Sequence, residues 1–573
     1  MRISHMHILM SLVLLVSRSV ATPLAPSFLH RPDAQDRPQS SGRILVGGEQ
    51  DKEHFEEEEP LGDFLLEGGE DSRPAYDVGK GSVAFDFDAD DDDRFVASER
   101  DVREYEEVLR RSFLFFSAQQ LGRLGKDHPI KWRGDAALLD GLKDNTHEPE
   151  GRDLVGGYAD AADHTKWNFN QAYAMTMLSW MAVDFRPLLQ RLKLWNTMLE
   201  TARWGLEYLA KCHIEPNVMY AGVGIADEEW FWWGRPEDIH TDGYYRPSWV
   251  INETHPGSDL AGESAAAFAA CSMAFRASDD ELADICLRHA VELFEFADKY
   301  RGLYSDHTPG EFMGYISSGY LDEIVWGALW LYRATGNQTY LDKAIAMEKD
   351  LPSFADGDMS ILTPPTPEWG PFWNDKHIWS LVLLTQLTDD PLYEKKLSVY
   401  TANLLPGGYY GYLPSGLAMI WSWGNNRHIS SAVAVASHMA MHTGDRRLYR
   451  WAKRQVDLLI GNAQDMPEGE RRSYVVGYGP NPPLRVAHKT SYCPSFRTGL
   501  PCNEFVPGST HPGPNLQTLT GALVGGPTYD GYLDKRDQWN MNEPAIDYNA
   551  HLIAALVSVL NATDLPADKG TEK

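Results

Sequence analysis

Ser264-Ala-Ala-Ala-Phe-Ala-Ala-Cys-Ser-Met-Ala-Phe275 and Ile378-Trp-Ser-Leu-Val-Leu-Leu-Thr-Gln-Leu387 are apolar around almost the whole helical circumference. A surface helix keeps one polar face, so a helix without one has protein on every side. Working outward, Tyr105, Val108, Leu109, Ser112, Phe113 and Phe116 keep the i, i+3, i+4, i+7 spacing of one buried face, as do Leu282, Ile285, Cys286, His289, Leu293 and Ala297. About twelve such stretches follow, near 103–120, 169–184, 190–212, 262–275, 280–300, 319–335, 340–349, 376–388, 391–403, 428–443, 446–462 and 545–560. No 34- or 40-residue repeat links them, which argues against a solenoid. The simplest packing is an all-α barrel of paired inner and outer helices. The connections near 213–260, 351–375 and 463–543 are long and rich in Gly, Pro, Trp and Tyr. Long ordered loops on a helical scaffold usually build a binding site.

The chain of 573 residues carries 82 acidic and 52 basic side chains, a net charge of -30. Such a surface repels polyanions, so nucleic acid is excluded as a default partner. Residues 22–100 hold 21 acids and 8 bases, are rich in Gly and Pro, and lack apolar periodicity. They read as an acidic pro-region or spacer, preceding a barrel over 101–562 and a tail over 563–573. Asp86-Phe87-Asp88-Ala89-Asp90 lacks the Gly and terminal Glu of an EF-hand loop, so structural calcium is not indicated.

Residues 1–21 have the pattern of a secretory signal: Arg2, an apolar run from Ile8 to Val16, and the small-residue site Ser19-Val20-Ala21. That run is too short to span a bilayer. A secreted, extracellular monomer with no membrane partner is the expectation. The sequons at Asn252, Asn337 and Asn561 fit that route. Of five cysteines, Cys493 and Cys502 lie in one Pro/Gly-rich loop and are a disulfide candidate, whereas Cys271 and Cys286, on helical patterns, are expected buried and free. No zinc spacing is present, and no cofactor is expected.

Two segments carry chemistry. In Gly156-Gly157-Tyr158-Ala159-Asp160-Ala161-Ala162-Asp163-His164 two carboxylates stand three residues apart before a helix, where they can share one space and deprotonate a water; capping is the ordinary role of such a pair. In Glu543-Pro544-Ala545-Ile546-Asp547-Tyr548-Asn549-Ala550, Glu543 lies among aromatic and amide residues that raise a carboxyl pKa, as a general acid requires.

These blocks, with Trp233-Gly234-Arg235-Pro236-Glu237, Pro256-Gly257-Ser258-Asp259, Asp322-Glu323-Ile324-Val325-Trp326 and Leu523-Val524-Gly525-Gly526-Pro527 in the same order, resemble glycoside hydrolase family 9, the cellulases and related β-glucanases, over nearly all of 103–560. The resemblance implies an (α/α)6 barrel with a cleft for a β-1,4-glucan chain, and hydrolysis with inversion by two carboxyl groups roughly 6.5–9.5 Å apart. It assigns Asp163 as general base, Asp160 as holder of the water, Glu543 as acid and Asp534 as its support. Trp233, Trp326 and Trp373 are candidate sugar platforms, and Tyr548, His488 and Lys489 candidate substrate contacts. Departures cluster: Ala487-His488-Lys489 replaces a His-His-Arg triplet, Ala162 a Gly, Ala159 an aromatic and Trp230 a common His, and Asn374-Asp375 inverts a usual order. They leave open a shifted glycan specificity, or a carbohydrate-binding protein with little catalysis.

Overall fold

The computed structural model describes residues 97–142, 151–224, 232–241, 246–308, 314–351, 370–502 and 511–563. The signal-like segment, most of the acidic stretch with its 86–90 run, Trp230 and nearly all of the tail lie outside the described residues.

Counting the long barrel helices alone, the order is α1 (Glu99–Gln119), α2 (Asn168–Asp184), α3 (Trp195–Cys212), α4 (Ser258–Phe275), α5 (Asp280–Lys299), α6 (Leu321–Thr335), α7 (Gln338–Glu348), α8 (His377–Leu387), α9 (Pro391–Leu404), α10 (Asn425–Thr443), α11 (Arg446–Ile460) and α12 (Ile546–Ala562). Even-numbered helices form an inner ring in which α2, α4, α6, α8, α10 and α12 touch in sequence and α12 returns to α2. Odd-numbered helices pack outside, and α1, first in the chain, lies against α12, the last. The stretch Trp539–Ala562 is long and apolar enough to cross a membrane by composition, yet 94% of its most apolar window is buried in the barrel.

Composition explains the layering. In α4 every residue but Met273 is buried, and in α12 every residue but Asn561. Gly262 and Gly327 let α4 and α6 meet backbone to backbone: a Cβ on Gly327 would stand 2.9 Å from the carbonyl oxygen of Gly262. Trp180, Trp326, Trp330 and Trp379 interlock edge to face inside the ring, with centroid distances of 5.3–5.8 Å.

Inner-to-outer connections between α4 and α5, α6 and α7, α8 and α9, and α10 and α11 are two to four residues long, which makes each pair antiparallel. Outer-to-inner connections are long, so they all collect at one rim, where the inner helices begin. Described N-cap side chains follow the same division. Ser98, Asp279, Asn337, Asp390 and Asp445 cap outer helices, whereas no inner helix has a side-chain cap. The rim therefore collects the positive ends of six helix dipoles. A small antiparallel sheet sits there as well. Strand β1 (Lys166–Trp167) and β2 (His213–Glu215) pair with opposite ends of β3 (Val218–Val223), and β4 (Ser248–Ile251) runs along its other edge.

Cys271 and Cys286 are bonded to each other, not free. The four-residue turn folds α5 back on α4 and sets the two Cα atoms 6.0 Å apart, a meeting that faces separated by 15 residues do not announce. Cys493 and Cys502 are also bonded, with Cα atoms 5.0 Å apart, and Cys212 is buried and reduced.

Candidate active site

The loop carrying Asp160 and Asp163 is held from several sides. Asp140 is buried between two cations, with Lys166 Nζ at 2.8 Å and Arg246 Nε at 2.8 Å, and they hold its carboxyl down to about 2 against the cost of burial. Lys166 also donates to the carbonyls of Leu154 and Gly156, so the segment entering the loop is anchored to β1, which leaves it. Gly157 turns the chain at φ +71°, where a Cβ would lie 2.7 Å from the Tyr208 ring. Gln171 accepts from Tyr158 N at 2.6 Å, and Gln119 donates to the carbonyls of Ala159 and Ala161 at 3.2 and 2.8 Å.

His488 completes that clamp. Its Nδ1 accepts from Ser491 N at 3.1 Å, capping the short helix Lys489–Tyr492, which leaves Nε2–H to donate to Gln119 Oε1 at 2.7 Å. Burial, with His164 and Arg133 nearby, pushes its pKa well below the ordinary histidine value, so the ring is neutral. At 1% exposure, with both nitrogens engaged, His488 positions the loop that carries Asp160 and Asp163 and does not face the cleft.

Glu543 is brought in by the other half of the rim. Asn542 Nδ2 donates to the carbonyls of Leu533, Lys535 and Gln538 at 2.7, 2.9 and 3.3 Å, and its oxygen accepts from Tyr532 at 2.5 Å. This one amide closes the 532–542 loop and hands the next residue to the cleft. Glu543 Oε1 then accepts from Ala162 N at 3.4 Å, Lys489 N donates to Ala162 O at 3.1 Å, and Ile546 N donates to Asp160 O at 3.0 Å. The two acidic segments, almost 400 residues apart in sequence, meet directly.

Burial and the Asp163 carboxylate push Glu543 up to about 8, against the Ala162 amide and the Lys489 charge. Asp160 is 2% exposed and accepts from Asn170 Nδ2 and the Tyr315 hydroxyl. Burial, Asp547 and Asp163 nevertheless raise its pKa well above the carboxylate range. Asp163 accepts from Thr165 N at 3.2 Å. Asp547, in the first turn of α12, pairs with Arg427 Nη1 at 3.1 Å and is also raised, chiefly by burial. Four carboxyl groups crowded together cannot all ionise at neutral pH, so the cluster retains a proton that it can give away.

Aromatic rings flank the acids on two sides. Trp373 is half-buried against Tyr315 (4.7 Å) and Phe169 (5.8 Å), and its carbonyl accepts from the buried Lys376. Trp233 is half-buried between Tyr492 (5.8 Å) and Trp539 (6.0 Å), with Lys489 Nζ 6.0 Å from its ring centre. Trp326 is fully buried in the tryptophan cluster and belongs to the core, not to the cleft. Tyr548 is 3% exposed beneath the Arg427 guanidinium. Asp534 spends its carboxylate on the amides of Leu484 and Arg485 (3.0–3.2 Å) and on Arg485 Nη1 (3.2 Å), bracing the strap before Ala487. Ala487 is buried and donates its amide to Asn542 O at 3.0 Å. Asn252 lies in a turn of the rim, Asn337 is exposed at the α7 cap, and Asn561 is half-buried. Asn561 lines a cavity of about 560 Å³ with Asp184, Arg333 and His438 at the opposite end of the inner helices, away from the carboxyl cluster.

Sequence reasoning missed Tyr315, Asn170, Arg427 and Asp547. Asp547 falls inside the block quoted above, one turn after Glu543, and that spacing was its available signal. Tyr315 and Arg427 lie in segments that show nothing until the barrel closes.

A helical barrel with paired carboxyl groups, one protonated, between aromatic walls has the equipment of a glycoside hydrolase. Comparison with known proteins agrees: Glycosyl hydrolase family 9 matches residues 105–556, and the chain belongs to that family. It is 36% identical over 491 residues to Endoglucanase 5 of Arabidopsis thaliana, covering 78% of this chain and 73% of that one. It is 36% identical to Endoglucanase 15 of the same plant, covering 79% and 93%. Among solved structures, an endoglucanase of the termite Nasutitermes takasagoensis superposes with a TM-score of 0.71 at 36% identity, covering 80% of this chain and 98% of that one. Endoglucanase CelQ of Clostridium thermocellum, complexed with cellotetraose, gives a TM-score of 0.67 at 30% identity, with coverage of 79% and 70%.

Proposed function

We propose that the protein is a secreted, inverting endoglucanase acting on internal bonds of β-1,4-linked glucans. The observation that carries this reading is Glu543, a carboxyl raised to about 8 beside Asp163 in the same rim. At neutral pH Glu543 holds the proton that a departing sugar oxygen needs, and Asp163 is the base. Asp160, fixed by Tyr315 and Asn170, holds the attacking water. In one displacement Asp163 takes a proton from that water as its oxygen bonds to the anomeric carbon. The bond to the leaving oxygen breaks as Glu543 protonates it, and solvent exchange resets both acids. Trp233 and Trp373 offer the rings on which pyranose faces pack. Endoglucanase relatives, one of them complexed with cellotetraose, support a β-glucan as substrate. The signal-like residues 1–21 and two disulfides support export to an oxidising compartment. No cofactor enters this chemistry.

Product formation on carboxymethyl cellulose and on mixed-linkage barley glucan tests the reading, with Glu543→Gln as control. Reducing ends that appear with wild type and not with the variant support it; no release from either glucan overturns it.

A shifted glycan preference is favoured by one observation. Ala487 turns a methyl group into the packed strap where a hydrogen-bonding ring stands in the family pattern, and the adjacent cation is a lysine. A lost partner for one sugar hydroxyl costs about 1–3 kcal/mol. On this reading the double change Ala487→His with Lys489→Arg raises cellulose turnover and lowers turnover of the preferred glycan; unchanged ratios would remove it.

A further inference from the structure

On the outer wall of the barrel, away from the carboxyl cluster, three side chains from two elements converge. His213 opens β2 directly after α3, and His289 and Glu292 stand three residues apart on one face of α5. The Nδ1 atoms of the two histidines face each other at 2.7 Å, and one ligand atom from each of the three residues lies within 4.8 Å of the others. Phe268 of α4 stacks on His289 at 5.0 Å and fixes its plane.

We propose that His213, His289 and Glu292 form a binding site for a divalent transition-metal ion of the zinc class, fastening α5 to the strand that leaves α3. Two imidazole nitrogens and one carboxylate are the donors such ions prefer, and three protein ligands leave one position for water. A tetrahedral ion with bonds of about 2.1 Å holds its ligand nitrogens about 3.4 Å apart. The imidazoles therefore open by some tenths of an ångström, and the half-buried Glu292 swings in by about an ångström, both within side-chain rotation. A histidine pair sharing one proton would also bring the Nδ1 atoms together, but it has no use for Glu292. That difference separates the two accounts.

The test uses the full chain after exposure to a chelator and dialysis, titrated with Zn2+ by calorimetry and with Co2+ by visible absorption. Expected are one ion per chain, a Kd on the order of 10 µM or tighter, and the intense ligand-field bands of low coordination number. Glu292→Gln weakens binding at least tenfold, and His289→Leu abolishes it. Circular dichroism confirms that each variant is folded, and Glu292→Gln, on the outer helix α5 and outside the carboxyl cluster, keeps glucan turnover. Saturating Zn2+ raises the melting temperature of wild type and not of His289→Leu. No binding by wild type, or binding unchanged by both substitutions, overturns the site.

Discussion

Replacing Glu543 by Gln tests the electrostatics of the rim independently of turnover. A carboxyl whose pKa is raised on folding binds its proton more tightly in the native state. It therefore costs nothing below its unfolded value and destabilises the fold progressively as pH rises towards the folded one. For Glu543 that window runs from 4.5 to about 8. Fully desolvated, the interval corresponds to about 5 kcal/mol. Glu543 is only partly covered, and its proton is shared with the neighbouring acids, which reduces the expected penalty to about 2 kcal/mol. Gln keeps the shape and the bond from Ala162 N but carries no charge. Scanning calorimetry at pH 5, 7 and 9 should show wild type and variant melting together at pH 5. The variant should melt about 2–4 °C higher at pH 9, a chain of this size gaining a degree or two per kcal/mol. A constant gap across pH, or a less stable variant at pH 9, would refute the assignment of a raised pKa to Glu543.

The same pKa sets the alkaline limb of activity. The rate on soluble glucan should fall as pH passes about 8, and a limb that persists to pH 10 would contradict it. Asp140→Asn leaves Lys166 and Arg246 buried without their anion and should cost about 3–5 kcal/mol in urea unfolding at pH 7. Because that carboxyl is depressed to about 2, the difference should shrink as pH falls from about 4 towards 2. Tyr315→Phe removes a hydroxyl from Asp160 and should lower kcat about ten- to a hundredfold with little change in melting temperature. Gly327→Ala puts a methyl 2.9 Å from a backbone oxygen of α4 and should cost about 1–3 kcal/mol, read from the denaturation midpoint.

The barrel was legible because apolar periodicity survives at every helix, and the all-round apolar stretches mark the inner ring. Two of the misplaced helix starts share one physical origin. The inner helices α4 and α10 begin at Ser258 and Asn425, about three or four residues earlier than periodicity predicts. Their first two turns carry Asp259, Glu263, Asn425, Asn426 and Arg427, polar groups that are buried at the rim and break the apolar pattern. Asp160, Asp163 and Glu543 could be put forward as candidates because they sit in dense local motifs. Tyr315, Arg427 and Asn170 could not, since each acts only through a partner more than a hundred residues away or within a helix that reads as core. His488 and Trp326 share their motifs with site residues, yet the packing turns one towards Gln119 and the other towards Trp180. A motif locates a segment near a site, whereas the direction of each side chain is decided by tertiary packing.

Proton NMR of the anomer released in the first moments of glucan hydrolysis bears most directly on the roles given to Asp163 and Glu543. Initial appearance of the α-anomer, absent with Glu543→Gln, is the predicted result. Initial appearance of the β-anomer would mean a covalent intermediate and two displacements, and would contradict the assignment of Asp163 as the base that activates water.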